Sequence, residues 1–93
     1  FSEMVWTFIE NSIAGLDTIK MAIDDENWEL IKETAHRLIP SYKHLNVRYA
    51  VSYLMQMEDM LPEDPDPAAL RSLIEKIDEI TAETIESLKN EKA

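Results

Sequence analysis

An all-α fold, four helices packed as an antiparallel up-down-up-down bundle, is predicted by three observations. Apolar residues recur at steps of three and four along nearly all of the 93-residue chain, the spacing of a helix with one buried face. A single glycine is present, far too few for hairpin turns that require positive φ. The breaks between periodic stretches are short and carry cap and turn residues, and four long helices on short loops pack most simply as a bundle.

The first periodic stretch runs from Ser2 to Ile23, with Val5, Trp6, Ile9, Ile13, Leu16, Ile19 and Ile23 assigned inward and Glu3, Glu10 and Asp17 outward. Asn11-Ser12 is a point at which it can divide, giving a short extra N-terminal helix ahead of a longer one. Asp24-Asp25-Glu26-Asn27 interrupts the pattern, and Asn27 is the N-cap candidate for the next helix. That second helix is expected from Trp28 to about Leu45 on the stripe Trp28, Ile31, Ala35, Leu38, Tyr42 and Leu45, the alternating steps of a packed seam. Asn46 is its expected stop, since Asn readily adopts the left-handed conformation beyond a helix end. The third helix carries Val47, Ala50, Val51, Leu54, Met57, Glu58 and Leu61 on one face, and Met55, Met57 and Met60 read as core filler. A proline- and acid-rich loop runs from Leu61 to Pro65. Asp66-Pro67 then restarts the chain as N-cap and first helical residue. Leu70, Leu73, Ile74, Ile77, Ile80, Thr81, Thr84, Ile85 and Leu88 carry the last helix to near Asn90.

Composition removes several functions. Residues 1–93 suffice for one core, so a single domain is expected. Nineteen acidic against nine basic residues give a net charge of −10, which repels phosphate backbones and anionic lipid; neither nucleic-acid nor direct membrane binding is expected. No apolar run approaches the roughly 20 residues of a bilayer span. Without cysteine there is no thiol catalysis, disulfide or thiolate metal site. Without a glycine-rich loop there is no nucleotide cradle. The chain opens on Phe1, which suggests a fragment excised from a longer protein.

One residue stands out chemically. His36 lies one position beyond Ala35, about 100° round the helix from the buried seam, with Lys32, Ile39, Pro40 and Lys43 as its helical neighbours. A neutral imidazole is a nucleophile near pH 7, suited to carrying a phosphoryl group. The task needs one ring nitrogen facing water, a partner for the other, and cations for the phosphoryl oxygens. Lys43 and Lys32 are the candidate cations. Glu58 interrupts the apolar stripe of the third helix, where an unpaired carboxylate is costly, and the His36 ring N–H is a candidate partner. Pro40 cannot bond to the His36 carbonyl and clashes with it, a penalty of about 3 kcal/mol. A kinked helix is expected there, because the stripe continues to Leu45. His44 lacks comparable surroundings and reads as an ordinary surface residue. His36 with Glu29 or Glu33 offers too few ligands for a metal.

Ala35-His36-Arg37-Leu38, with Ser41 and Leu45 beyond it, resembles the histidine-containing phosphotransfer (HPt) domains of multistep two-component relays. That family's motif is alanine-histidine, a leucine two further on, then lysine-glycine-serine and a later leucine-glycine. Asn27-Trp28-Glu29-Leu30 is similar to the aspartate-tryptophan start of the family's active-site helix. Glu58 falls where the family has a histidine-bonding Gln or Glu. The likeness spans about residues 4–89. Ile39 and Pro40 replace the family's lysine and glycine, and Asn46 its second glycine, a variant similar to HPt domains of some bacterial hybrid sensor kinases. The resemblance implies that His36 accepts a phosphoryl group from a receiver-domain aspartate and passes it to another receiver. It also implies no intrinsic kinase activity and no resident cofactor, with Mg²⁺ on the partner receiver. Arg37, Ile39 and Pro40 are the expected docking residues. A monomeric cytoplasmic module is expected, free or as part of a membrane-anchored sensor kinase. The alternative is an HPt-like adaptor that no longer transfers phosphate, motivated by the loss of lysine and glycine. An independent hydrolase would need a second catalytic group near His36, and none is apparent.

Overall fold

Each break in the apolar periodicity becomes a turn. In the computed structural model, which describes residues 3–61, 63 and 65–90, the chain forms α1 (Glu3–Asp24), α2 (Trp28–His44), α3 (Arg48–Met60) and α4 (Pro67–Asn90). Ser2, expected in the first helix, and Pro62 and Asp64, expected in the acidic loop, lie outside the described residues. α1 is unbroken through Asn11 and Ser12, so no separate leading helix exists among the described residues. Ser12 fits within the helix because its buried hydroxyl donates back to the Ile9 carbonyl at 3.1 Å.

Two turns are built alike. At the end of α2, Asn46 takes φ 60°. Its N–H donates to Lys43 O at 2.9 Å and the Val47 N–H to Tyr42 O at 3.0 Å, the paired bonds that close a helix through a left-handed residue. At the end of α1, Glu26 takes φ 54°, with Glu26 N–H to Ile23 O at 3.1 Å and Asn27 N–H to Ala22 O at 2.9 Å. A glutamate gains nothing from that conformation; the tight three-residue connection imposes it. Asn27 then caps α2, accepting from the Leu30 N–H at 3.3 Å, and Asp66 caps α4, accepting from the Ala68 N–H at 3.0 Å.

Helices adjacent in the chain pack together, and α4 closes the ring against α1, giving a body of 45 × 19 × 19 Å. The core takes Leu16, Ile19 and Ile23 from α1, Ile31, Ala35 and Leu38 from α2, Ala50, Leu54 and Met57 from α3, and Leu70, Ile74 and Ile77 from α4. Two α1 assignments are corrected: Trp6 and Ile13 are about half exposed, while Phe8 is buried. Apolar residues occur on several sides of this helix, so its periodicity leaves the inward direction loosely specified. Met55 is likewise no core filler, being 48% exposed.

Tyr42 is the largest fully buried side chain. Its ring meets Phe8 edge-on at 5.1 Å and its hydroxyl bonds the Thr81 Oγ1 of α4 at 2.7 Å. Burial pushes the phenol up to about 12, although the Thr81 and Ser12 hydroxyls favour the anion. Gly15, the single glycine, lets α1 approach α2: a Cβ there would lie 2.8 Å from Leu38 Cδ2. At the surface, Met4 near the start of α1 meets His44 at the end of α2, and Arg71 near the start of α4 pairs with Asp24 at the end of α1. No helix among the described residues is long and apolar enough to cross a membrane.

Candidate functional site

The site is assembled where the inner seam of α2 gives way to its surface. Ala35 is sealed in the core, and a step of about 100° brings the next side chain out between α2 and α3. His36 therefore emerges with 78% of its side chain exposed. Glu58 comes directly after the buried Met57 on α3 and is held at the rim, with 20% of its side chain exposed.

The two meet across 22 residues of sequence: His36 Nδ1 lies 3.0 Å from Glu58 Oε2. An ionised carboxylate only accepts. In the neutral ring, facing that carboxylate, Nδ1 carries the proton and Nε2 keeps the lone pair. The carboxylate fixes both tautomer and ring orientation. In its neutral form an imidazole so held is able to act as a nucleophile, with a counter-charge beside it for any positive charge the ring acquires.

The remaining candidates fall in different places. Lys32 is exposed one turn before His36, about 6 Å along the axis, and Lys43 is exposed two turns after it, about 10 Å away. Neither makes an ion pair among the described residues. Arg37 is exposed on the other flank, where it lines the groove between α1 and α2 with Asn11, Thr18 and Ser41. Pro40 is exposed within α2, which continues as one helix to His44; having no N–H, it leaves the His36 carbonyl without its helical donor. Ile39 is a correction to the expected docking surface. It is only 8% exposed and belongs to the core, because a step of three from His36 turns back beneath the ring toward Leu38 and Tyr42. Two apolar residues on the helical face that bears Glu58 were given no part in the site by the sequence. Val51 and Met55 precede Glu58 by seven and three positions on the same face of α3, half-buried and exposed respectively. That spacing to Glu58 was the available signal.

No three His, Cys, Asp or Glu side chains gather as a metal would require among the described residues. Compared with known proteins, the chain matches no family model, no curated protein and no solved structure.

Proposed function

We propose that this domain is a histidine phosphotransfer module that accepts a phosphoryl group on His36 from a receiver-domain aspartate and passes it to a second receiver. The observation that carries the reading is the exposed imidazole whose Nδ1 is held at 3.0 Å by the half-buried Glu58. In the forward step the Nε2 lone pair attacks the phosphorus of the aspartyl phosphate. The P–N bond forms as the P–O bond to the carboxyl breaks, and the aspartate leaves as a carboxylate. The Nδ1 proton stays in place, so no base is needed, and Glu58 offsets the positive charge on the ring. Transfer to the second receiver is the reverse step on a new aspartate. Lys32, nearer than Lys43, adds positive potential for the phosphoryl oxygens.

On this reading the Mg²⁺ and most of the catalytic groups belong to the receiver, and the domain is a monomeric carrier and not a kinase, working in the cytoplasm alone or within a sensor kinase. Met4 beside His44 and Arg71 beside Asp24 support an up-down-up-down course, in which α2 and α3 present the site from two rigid antiparallel rods.

A second reading, an adaptor bundle that binds receivers without transfer, is favoured by the apolar, buried Ile39 where the resembled family has a lysine. Incubation with phosphorylated receiver domains separates the two. Acid-labile, alkali-stable label on the wild type that is absent from His36→Gln is the expected result. Binding without label from any receiver would leave the adaptor.

A further inference from the structure

We propose that the partner docks over the groove between α2 and α3 at the Lys43–Arg48 end of the bundle, presenting an acidic face to it. This rests on the phosphotransfer reading and specifies the surface that the reading uses. Residues 34–57 contain Arg37, Lys43 and Arg48 and no acid, so the remainder holds all nineteen acids against six cations, a balance of −13. The chain is thus strongly polarised. The acid-free stretch begins beside His36 and runs through the α2–α3 turn to the residue before Glu58.

Five residues of that stretch meet at its turn, and Asn46, Val47 and Arg48 also border Glu83 of α4 in a neighbouring depression. Lys43, Asn46, Val47, Arg48 and Val51 line a single depression of about 180 Å³. Arg48 donates only to the neutral Asn46 side chain, at 3.3 Å, and neither Lys43 nor Arg48 meets a carboxylate among the described residues. Along α2 exposed Pro40 stands between His36 and Lys43, and along α3 exposed Met55 stands between Val51 and Glu58. The surface therefore has a nucleophile at one end, a small apolar centre and two unpaired cations at the other.

A receiver fits this arrangement. A domain that binds Mg²⁺ beside a phosphorylated aspartate must gather carboxylates around it, since Mg²⁺ takes oxygen ligands. An acidic rim of that kind is attracted to Lys43 and Arg48 and repelled by the rest of this chain, which orients the partner as well as drawing it in. The competing groove between α1 and α2 has Arg37 as its one charged lining residue, amid small and neutral side chains.

The test uses a panel of phosphorylated receiver domains, with phosphoramidate as a small donor that needs no docking surface. Arg48→Glu should slow transfer from the receiver about tenfold at low ionic strength, the effect shrinking as salt is raised. Met55→Ala should slow it a few-fold at all salt concentrations. Phosphoramidate needs no docking surface, so its labelling of His36 should be unchanged in Arg48→Glu, and Arg71→Glu should leave both donors unaffected. Transfer that is indifferent to Arg48→Glu and Met55→Ala, or lost in Arg37→Glu alone, would overturn the proposed surface while leaving phosphotransfer standing. A wild type labelled by neither donor would instead remove the phosphotransfer reading, and this surface with it.

Discussion

The polar pair that ties α2 to α4 and the one that ties it to α3 behave as opposites. Tyr42 and Thr81 meet at 2.7 Å in the sealed centre, whereas His36 and Glu58 meet at 3.0 Å with the ring in water. Six residues along one helix separate them, enough to turn the side chain from the surface to the axis of the bundle. The buried pair holds α2 against α4 and does nothing for a partner. The exposed pair adds little stability, as surface ion pairs contribute about 0–1 kcal/mol, and is available for chemistry. One helix therefore serves as strut and as bearer of the site, with its register deciding which residue does which.

The sharpest way to break this contrast is His36→Gln. Labelling by receivers and by phosphoramidate should vanish, while thermal unfolding monitored by circular dichroism stays within a few degrees of wild type; residual label would move the phosphoacceptor elsewhere. Tyr42→Phe should do the reverse. It leaves Thr81 without its partner, at about 1–2 kcal/mol in urea unfolding, and leaves transfer intact. It also changes the alkaline limb. The Tyr42 phenol is raised from 10.0 to about 12 in the fold, so its proton is held more tightly in the native state. The associated stability is complete below pH 10 and is lost as pH climbs toward 12, by about 2–3 kcal/mol. Urea titrations across that window should show the decline in wild type and a smaller one in Tyr42→Phe.

Glu58→Ala should slow transfer about tenfold, the equivalent of one charged hydrogen bond, with unfolding barely altered. Glu58→Gln, which keeps an acceptor for Nδ1–H, should recover most of the rate; equal losses in both would assign Glu58 a purely electrostatic part. The smallest effect is expected at Gly15→Ala. The added methyl meets Leu38 at 2.8 Å, an overpacking of about 1–3 kcal/mol offset by about 1 kcal/mol of helix propensity. A net loss near 1 kcal/mol should appear in urea unfolding with no change in transfer. A gain in stability would mean that the α1–α2 seam yields readily.

Much of this was legible from residues alone, because it depends on neighbours three or four positions apart. Asn27 and Asp66 cap the helices they precede, and Asn46 takes the left-handed turn, each from local hydrogen-bonding chemistry. The meeting of His36 with Glu58 could be anticipated because a carboxylate in an apolar stripe needs a donor. Ile39 was misread because it adjoins His36 in the motif, yet its direction is set by the core under it. Trp6, Ile13 and Phe8 were misplaced because α1 is apolar on several sides, and packing against α2 and α4 selects the inner one. Glu26 gave no hint of positive φ, which a short connection forces on whatever residue stands there.

By itself, then, the chain's spacing determined four helices, their caps and a histidine at the edge of a seam, since these come from local geometry repeated every turn. Which side of α1 faces inward, how closely Gly15 admits Leu38, and that Lys43, Arg48 and Val51 line one depression were decided only when the helices packed. Those relations join residues distant in sequence, and the requirement to fill a common core is what fixes them.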